Sequence, residues 1–417
     1  MHDESLTRLL GIQGFQVTRV ELEVRKQRPA AIVYLERTAT GYVCGRCQQP
    51  VAAAYDSREQ EVQHLTLWQH LTFLRFWRVR VACPPCGVVT EALPFVARHA
   101  RITTTLAALV AELCKVMTNQ AVGLFQALHR GTVKEIDKRA IQQAQRARDL
   151  EGITTLGIDE IAVGCGQTYW HLVSALDGPQ GPAVLFVGEG RKAKDLQPFW
   201  AWFGEARAQR ITHAVMDMWQ AFRTRFQAHC PGVQLLYDKF HVIQPLLVAL
   251  NEVRTQELQR AGQPMRGVLA GKQVILLSRK KHLKGPARQA LKTLLGLNRR
   301  LFKAHLLKEI FGQLWSYTSK TWARTFFDRW VEQLKGSRLA PYQKFARLVE
   351  QHLDGILTSC EKKVPLGYIE GTNLKAKNII RRAYGYRDKE YMKLKLIQGC
   401  SSLGVFRPWA FTHTNSS

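Results

Sequence analysis

Two short cysteine pairs, Cys44-Gly-Arg-Cys47 and Cys83-Pro-Pro-Cys86, constrain the N-terminal part of this chain more than any other feature. A Cys-x-x-Cys turn points both sulfurs inward with backbone N–H groups supporting them, so two such pairs can converge on one tetrahedral zinc. The intervening "VQHLTLWQHLTFLRFWRVRVA" supplies strand-like material for an inserted hairpin. A four-thiolate site has no open position for water, so structural Zn²⁺ at Cys44, Cys47, Cys83 and Cys86 is expected to hold a fold that presents a basic surface to DNA. Redox-active dithiols and unliganded thiols are the alternatives. The chain has nine cysteines, an odd number with four closely paired, which fits metal ligands plus buried thiols better than disulfides.

Charge narrows the partner. Sixty Lys and Arg face 33 Asp and Glu, a formal net charge of +27 that predicts strong attraction to polyanions. Double-stranded DNA is the expected partner; a ribosome-associated or merely soluble basic protein is the bland alternative. The N-terminus "MHDESLTRLL" lacks the apolar core of a signal peptide. No run approaches the roughly 18 to 20 apolar residues that span a bilayer. A cytoplasmic, nucleoid-associated protein without membrane contact is therefore expected.

The hydrophobic period divides the chain further. Residues 1–98 alternate as strands around the cysteines, a zinc-binding β domain. Residues 99–150 turn helical, and "NQAVGLFQALHRGTVKEIDKRAIQQ" reads as helix, turn, helix, with Thr132 capping the second helix and Lys134, Lys138 and Arg139 exposed on it. That resembles a helix-turn-helix, whose second helix enters a major groove; an amphipathic hairpin made only for packing has the same pattern. Residues 151–243 hold five strand candidates: "TLGIDEIAVG", "TYWHLVSALDG", "PAVLFVGEG", "ITHAVMDM" and "VQLLYDKFHV". Helical segments separate the third from the fourth and the fourth from the fifth, which makes a mixed sheet with helical crossovers. Residues 244–360 are helical and basic, and 361–417 hold further helices and a tail, "FRPWAFTHTNSS", that reads as a loose terminus.

Asp159 falls inside the first of those strands, where a charge is expensive unless used or paired. Asp217 ends the fourth. If the two strands are neighbours, the acids meet at one sheet edge, and a third acid from a later helix completes a pocket for two divalent cations. Taken singly, each Asp is more often an ordinary strand-end residue. Farther along, "GYIEGTNLKAKNIIRRAYGYRDKEYMKLK" sets Glu370 at the head of a cationic helix. A helix beginning near Tyr368 puts Glu370, Asn373, Lys377 and Arg381 on one face. Lys375, Lys377, Arg381, Arg382 and Arg387 are candidates for gripping DNA phosphates.

The order of cysteine pairs, helical region, "GIDE", "VMDMWQAF", "YDKFHVIQ" and "YIEGTNLKAKNIIRRAYGYRD" resembles the DDE transposases of the bacterial ISL insertion-sequence family, group three of that naming. The resemblance spans nearly the whole chain, and its last motif is the most specific part. It implies an RNase H-like fold with the catalytic acids at Asp159, Asp217 and Glu370 holding two Mg²⁺ ions, for which Mn²⁺ substitutes. It also implies that the helical stretch 244–360 is an insertion before the helix bearing the last acid. Asp238 and His241 match an Asp-x-x-His signature near such active sites; from the residues alone, Asp238 could equally be the third metal ligand and His241 a core histidine. The implied function is binding of an element's terminal inverted repeats, cleavage of its ends and transfer of the 3′-hydroxyl strands into target DNA, as a homodimer. A non-cleaving DNA-binding regulator derived from a transposase, or an RNase H-like nuclease, is the alternative.

Overall fold

A computed structural model describes residues 4–164, 168–262, 266–267, 270–362, 364, 366–383 and 385–407. The tail read as a loose terminus lies, from Pro408 onward, outside the described residues. The chain is α+β throughout and forms two compact units, Met1–Arg148 with Leu403–Ser417, and Asp149–Ser402.

The first unit opens with a short helix, α1 (Glu4–Leu10), that the sequence pattern does not announce. Strands β1 (Phe15–Arg25) and β2 (Arg28–Arg37) then form a hairpin. Its turn residues Lys26 and Gln27 both take positive φ, +49° and +60°, as a tight two-residue hairpin requires. A small hairpin, β3 (Tyr42–Val43) with β4 (Pro50–Val51), carries the first cysteine pair. Strands β5 (Ala54–Leu67) and β6 (His70–Cys83) form a long hairpin, and β7 (Gly87–Thr90) pairs back onto β6. The sheet order is β1-β2-β6-β5, with β2 and β6 parallel. Its apolar face buries Phe15, Phe76 and Phe95 in mutual edge-to-face contact at 5.3 to 5.8 Å, the geometry favoured by ring quadrupoles.

Three helices follow: α2 (Thr104–Leu113), α3 (Asn119–Gln126) and α4 (Arg130–Arg146). They close over Leu106, Val110, Val122 and Val133, all fully buried. The C-terminal carbonyls of α3 are satisfied from the sheet: Lys26 and Arg28 donate to Ala127 and Phe125 at 2.6 and 2.7 Å, and Gln63 donates to Gln126 at 2.6 Å. Cations at a helix C-terminus also suit its dipole.

The second unit is built on a five-stranded sheet: β8 (Thr155–Ala162), β9 (Tyr169–Ala175), β10 (Ala183–Glu189), β11 (His213–Met216) and β12 (Gln234–Tyr237). Its order is β10-β9-β8-β11-β12, antiparallel among β8, β9 and β10, and parallel from β8 through β11 to β12. Helices α5 (Gln197–Phe203) and α6 (Glu205–Ala208) cross from β10 to β11, and α7 (Gln220–His229) crosses from β11 to β12. One face of the sheet is covered by Phe199, Trp200, Phe203, Phe222 and Phe226.

A helical region follows β12: α8 (Lys239–Arg260), α9 (Gln273–Leu277), α10 (Gly285–Leu297), α11 (Arg299–Phe311), α12 (Lys320–Leu334), α13 (Ala340–Gln351) and α14 (Leu353–Glu361). Its core joins Phe311, Trp330, Tyr342 and Phe345, and both polar tips are satisfied, Tyr342 Oη by the Ala304 carbonyl at 2.7 Å and Trp330 Nε1 by the Leu307 carbonyl at 2.9 Å. The edge strand β12 is closed by α14, where Ser359 Oγ accepts from the Tyr237 N–H and donates to its carbonyl. The approach is close enough that a Cβ on Gly355 would lie 2.5 Å from the Tyr237 ring.

The opposite face of the sheet receives α15 (Leu366–Arg382), whose Ile369 packs with Leu176, Val215 and Leu236. Gly157 of β8 leaves room for it, since a Cβ there would meet Ile369 Cδ1 at 3.0 Å. Helix α16 (Lys389–Gly399) completes the unit against β10, with Lys389 and Lys393 both paired to Glu189 at 2.9 Å.

Candidate metal centres and acidic site

The two cysteine pairs converge. The sulfurs of Cys44, Cys47, Cys83 and Cys86 all lie within 4.8 Å of one another, a group that could hold a metal ion. Cys47 and Cys83 Sγ are 3.6 Å apart. A tetrahedron with Zn–S bonds of about 2.3 Å has edges of about 3.8 Å, so the donor set fits zinc in both chemistry and spacing. Each pair sits on a tight turn, closed by Gln48 N–H to Cys44 carbonyl at 3.0 Å and by Cys86 N–H to Cys83 carbonyl at 3.1 Å. Backbone N–H groups of Cys47 and Arg46 at the Cys44 sulfur hold that thiol below the usual cysteine range, which favours the thiolate a metal requires. Gly45 is obligatory in this turn: a Cβ would lie 2.2 Å from the Thr90 carbonyl oxygen.

Helices α3 and α4 are joined by a turn in which Ala127 takes φ +54° and Leu128 N–H bonds the Gly123 carbonyl at 2.9 Å. The expectation that Thr132 caps α4 is corrected: the cap is His129, whose ring nitrogen accepts from Gly131 N–H at 3.2 Å, and Thr132 lies inside the helix. The imidazole does what a Ser or Thr hydroxyl usually does, which moves the helix start upstream. Arg139 is exposed, while Lys134 and Lys138 are half-buried and Lys134 pairs with Glu135 at 3.4 Å.

In the second unit, Asp159 sits on the central strand β8 and Asp217 directly follows the neighbouring parallel strand β11. Asp159 accepts from the Glu160 N–H at 2.7 Å and from the side-chain amide of Asn373 on α15. Asp217 accepts from the Trp219 N–H at 3.0 Å. Burial raises both carboxyls above the usual range, the Asp159 charge raises Asp217 further, and His241 opposes the shift at both. Glu160, next in sequence to Asp159, is pushed up to about 7, first by burial and then by the charge of Asp217.

Asp238 caps α8 by accepting from Phe240 N–H at 2.8 Å, and its charge also raises Asp159. His241 is half-buried one turn later, near enough for its charge to act on both Asp159 and Asp217. Glu370 is exposed on α15, one helical turn before Asn373. Among the described residues only the four cysteines gather three or more ligating atoms within 4.8 Å, so Asp159, Asp217 and Glu370 do not form such a group. Lys375, Lys377, Arg381, Arg382 and Arg387 are all exposed.

Two members of the acidic neighbourhood were not singled out from the sequence. Glu160 stands beside Asp159 in "GIDE", a visible signal. Arg191, which acts on both Glu160 and Asp217, lies in the loop after β10 and carries no local pattern that marks it.

A family model described as a transposase of the DDE ISL3 group matches residues 156–396, the span from β8 to α16. The chain is 32% identical over 401 residues to the transposase for insertion sequence element IS1001 of Bordetella parapertussis, covering 95% of this chain and 98% of that protein. It is 25% identical over 380 residues to the transposase for insertion sequence element IS1557 of Mycobacterium tuberculosis, covering 85% and 84% of the two. No helix among the described residues is long and apolar enough to cross a membrane. The chain belongs to the ISL3 family of DDE transposases.

Proposed function

We propose that this transposase binds the terminal inverted repeats of its insertion sequence, cleaves the DNA ends and joins the freed 3′-hydroxyl strands to target DNA at the site of Asp159, Asp217 and Glu370. The single observation that carries the reading is the juxtaposition of Asp159 and Asp217 on neighbouring parallel strands, with the helix bearing Glu370 packed over the first of them. The strand order, with an antiparallel second and third strand and parallel fourth and fifth, is what an RNase H-like core requires.

Asp159, Asp217 and Glu370 are the residues that would hold two Mg²⁺ ions. When bound, the ions stabilise charge on the attacking and leaving oxygens of an in-line displacement at phosphorus. The protein's own contribution is orientation and proton control. Asn373 fixes one Asp159 oxygen and the Glu160 N–H the other, so the carboxylate cannot rotate freely. His241 lowers both aspartates toward the ionised form that binding of a cation needs. Exposed Lys375, Lys377, Arg381, Arg382 and Arg387 draw the DNA backbone to the site.

In the first unit, the four cysteines would hold a structural Zn²⁺ that fixes the β sheet, and α3 with α4 would act as a helix-turn-helix presenting Lys134, Lys138 and Arg139. The helical region from α8 to α14 would be the insertion within the catalytic core and would hold flanking or target DNA. A homodimer in the bacterial cytoplasm fits a reaction in which two ends are cut together. Cleavage of a duplex carrying the terminal repeat tests the reading: Asp159→Asn and Glu370→Gln should each abolish cutting while leaving DNA binding intact.

A further inference from the structure

We propose that Arg191 is a phosphate-binding residue of the acidic site, held between the rings of Tyr169 and Trp219 so that its guanidinium edge receives a DNA phosphate beside the scissile bond. The proposal rests on the assignment of Asp159 and Asp217 to DNA cleavage.

The guanidinium carbon of Arg191 lies 4.7 Å from the Tyr169 ring centroid and 5.2 Å from that of Trp219. Trp219 is tied to Arg191 by a second contact, its Nε1 donating to the Arg191 carbonyl at 3.0 Å. The same Trp219 donates its backbone N–H to Asp217. Arg191, Trp219 and Asp217 are thus one connected piece. Tyr169 begins β9 directly opposite Ala162, the last residue of the strand that carries Asp159 and Glu160.

An arginine meant to neutralise the acids would bind one of them directly, as Arg75 binds Glu61 at 2.8 Å in the first unit. Arg191 does not. Its charge reaches Asp217 and Glu160, yet among the described residues its guanidinium makes no hydrogen bond or ion pair, and its cation–π contacts are with the two rings. Contact with ring faces holds the cation without using any of its N–H donors. A planar fork of donors held in place, next to carboxylates that repel a bare phosphate, is suited to bidentate capture of one phosphate as it arrives.

The test uses the full-length protein and a duplex ending in the terminal repeat that flanks the gene, with single neutral methylphosphonates placed in turn around the scissile bond. Arg191→Gln should lower kcat/KM for cleavage at least tenfold, with Arg191→Lys in between. At one position next to the cut, the neutral phosphonate should cost the wild type about as much as the substitution does, and add little to Arg191→Gln. Trp219→Ala should mimic Arg191→Gln, and Trp219→Phe should retain most activity; melting curves matching the wild type show that the variants are folded. Cleavage by Arg191→Gln within twofold of the wild type, or phosphonate losses that multiply with the substitution at every position, would overturn the proposal. Asp159→Asn is assayed beside these: its cutting like the wild type sinks the cleavage assignment. In that case binding of the duplex in Ca²⁺ still decides the phosphate contact, since Arg191→Gln should reduce the salt slope by about one, and an unchanged slope refutes it.

Discussion

The side-chain amide of Asn373 donates to the carboxylate of Asp159, joining helix α15 to the central strand β8 across 214 residues of chain. The contact makes the position of α15 over the sheet a property of the site as well as of the core. Removing the donor leaves a half-buried acid with one partner fewer. Asn373→Ala should therefore destabilise the protein by about 1 to 2 kcal/mol at pH 7. In a double-mutant cycle with Asp159→Asn, read from urea unfolding, the coupling should be about 1 kcal/mol. A coupling near zero would mean that the bond is not formed in solution.

Glu160 gives the stability of the second unit a pH slope. Its native carboxyl is raised to about 7 from an ordinary 4.5, so the native state holds this proton more tightly than the unfolded chain does. The contribution is fully present below about pH 4.5 and is lost as pH rises through 7. Glu160→Gln should flatten unfolding free energy over that interval. After discounting for solvent screening of a half-exposed group, it should also stabilise the protein by about 1 to 2 kcal/mol at pH 8. Magnesium should weaken the wild-type slope, because a cation beside Asp159 and Asp217 lowers every neighbouring carboxyl.

Gly355 is set against the Tyr237 ring and the Leu235 carbonyl, where a Cβ would come within 2.5 and 3.0 Å. Gly355→Ala should push α14 off the edge of β12 and cost about 1 to 3 kcal/mol. Ser359→Ala removes the hydroxyl that serves both polar groups of Tyr237 and should cost about 1 kcal/mol. Thermal unfolding of both variants measures this, and a Gly355→Ala protein as stable as the wild type would contradict the packing described.

The four-cysteine cluster should bind one zinc per chain, measured by metal analysis. Cys83→Ser should lose it and destabilise the first unit, as chelators should, because four thiols gathered this closely are stabilised together by a shared cation. Binding of terminal-repeat DNA should fall with the zinc content, whereas the melting of the second unit should not change.

Much of this architecture was legible beforehand because its signals are local. The cysteine pairs needed only their spacing to predict that four sulfurs meet, and they do. The order of three strands, helix, strand, helix, strand followed from changes of hydrophobic period, and β8 and β11 are neighbours as that order suggested. The start of α4 was misjudged because a histidine cap is rare and a threonine stood nearby. Arg191 was invisible for a different reason. Its role depends on Tyr169 and Trp219, brought together from separate strands and loops by tertiary folding, and no sequence periodicity marks a cation held between two such rings.

The central claim is that Asp159, Asp217 and Glu370 act as one metal-dependent site on DNA. The most direct measurement is cleavage of a duplex carrying the element's end by the wild type, Asp159→Asn, Asp217→Asn and Glu370→Gln in Mg²⁺, Mn²⁺ and EDTA. The wild type should cut with either metal and not in EDTA, and each variant should lose about a thousandfold or more in rate with binding retained, roughly 4 kcal/mol in barrier. Wild-type cutting rates in any one of the three variants would contradict it.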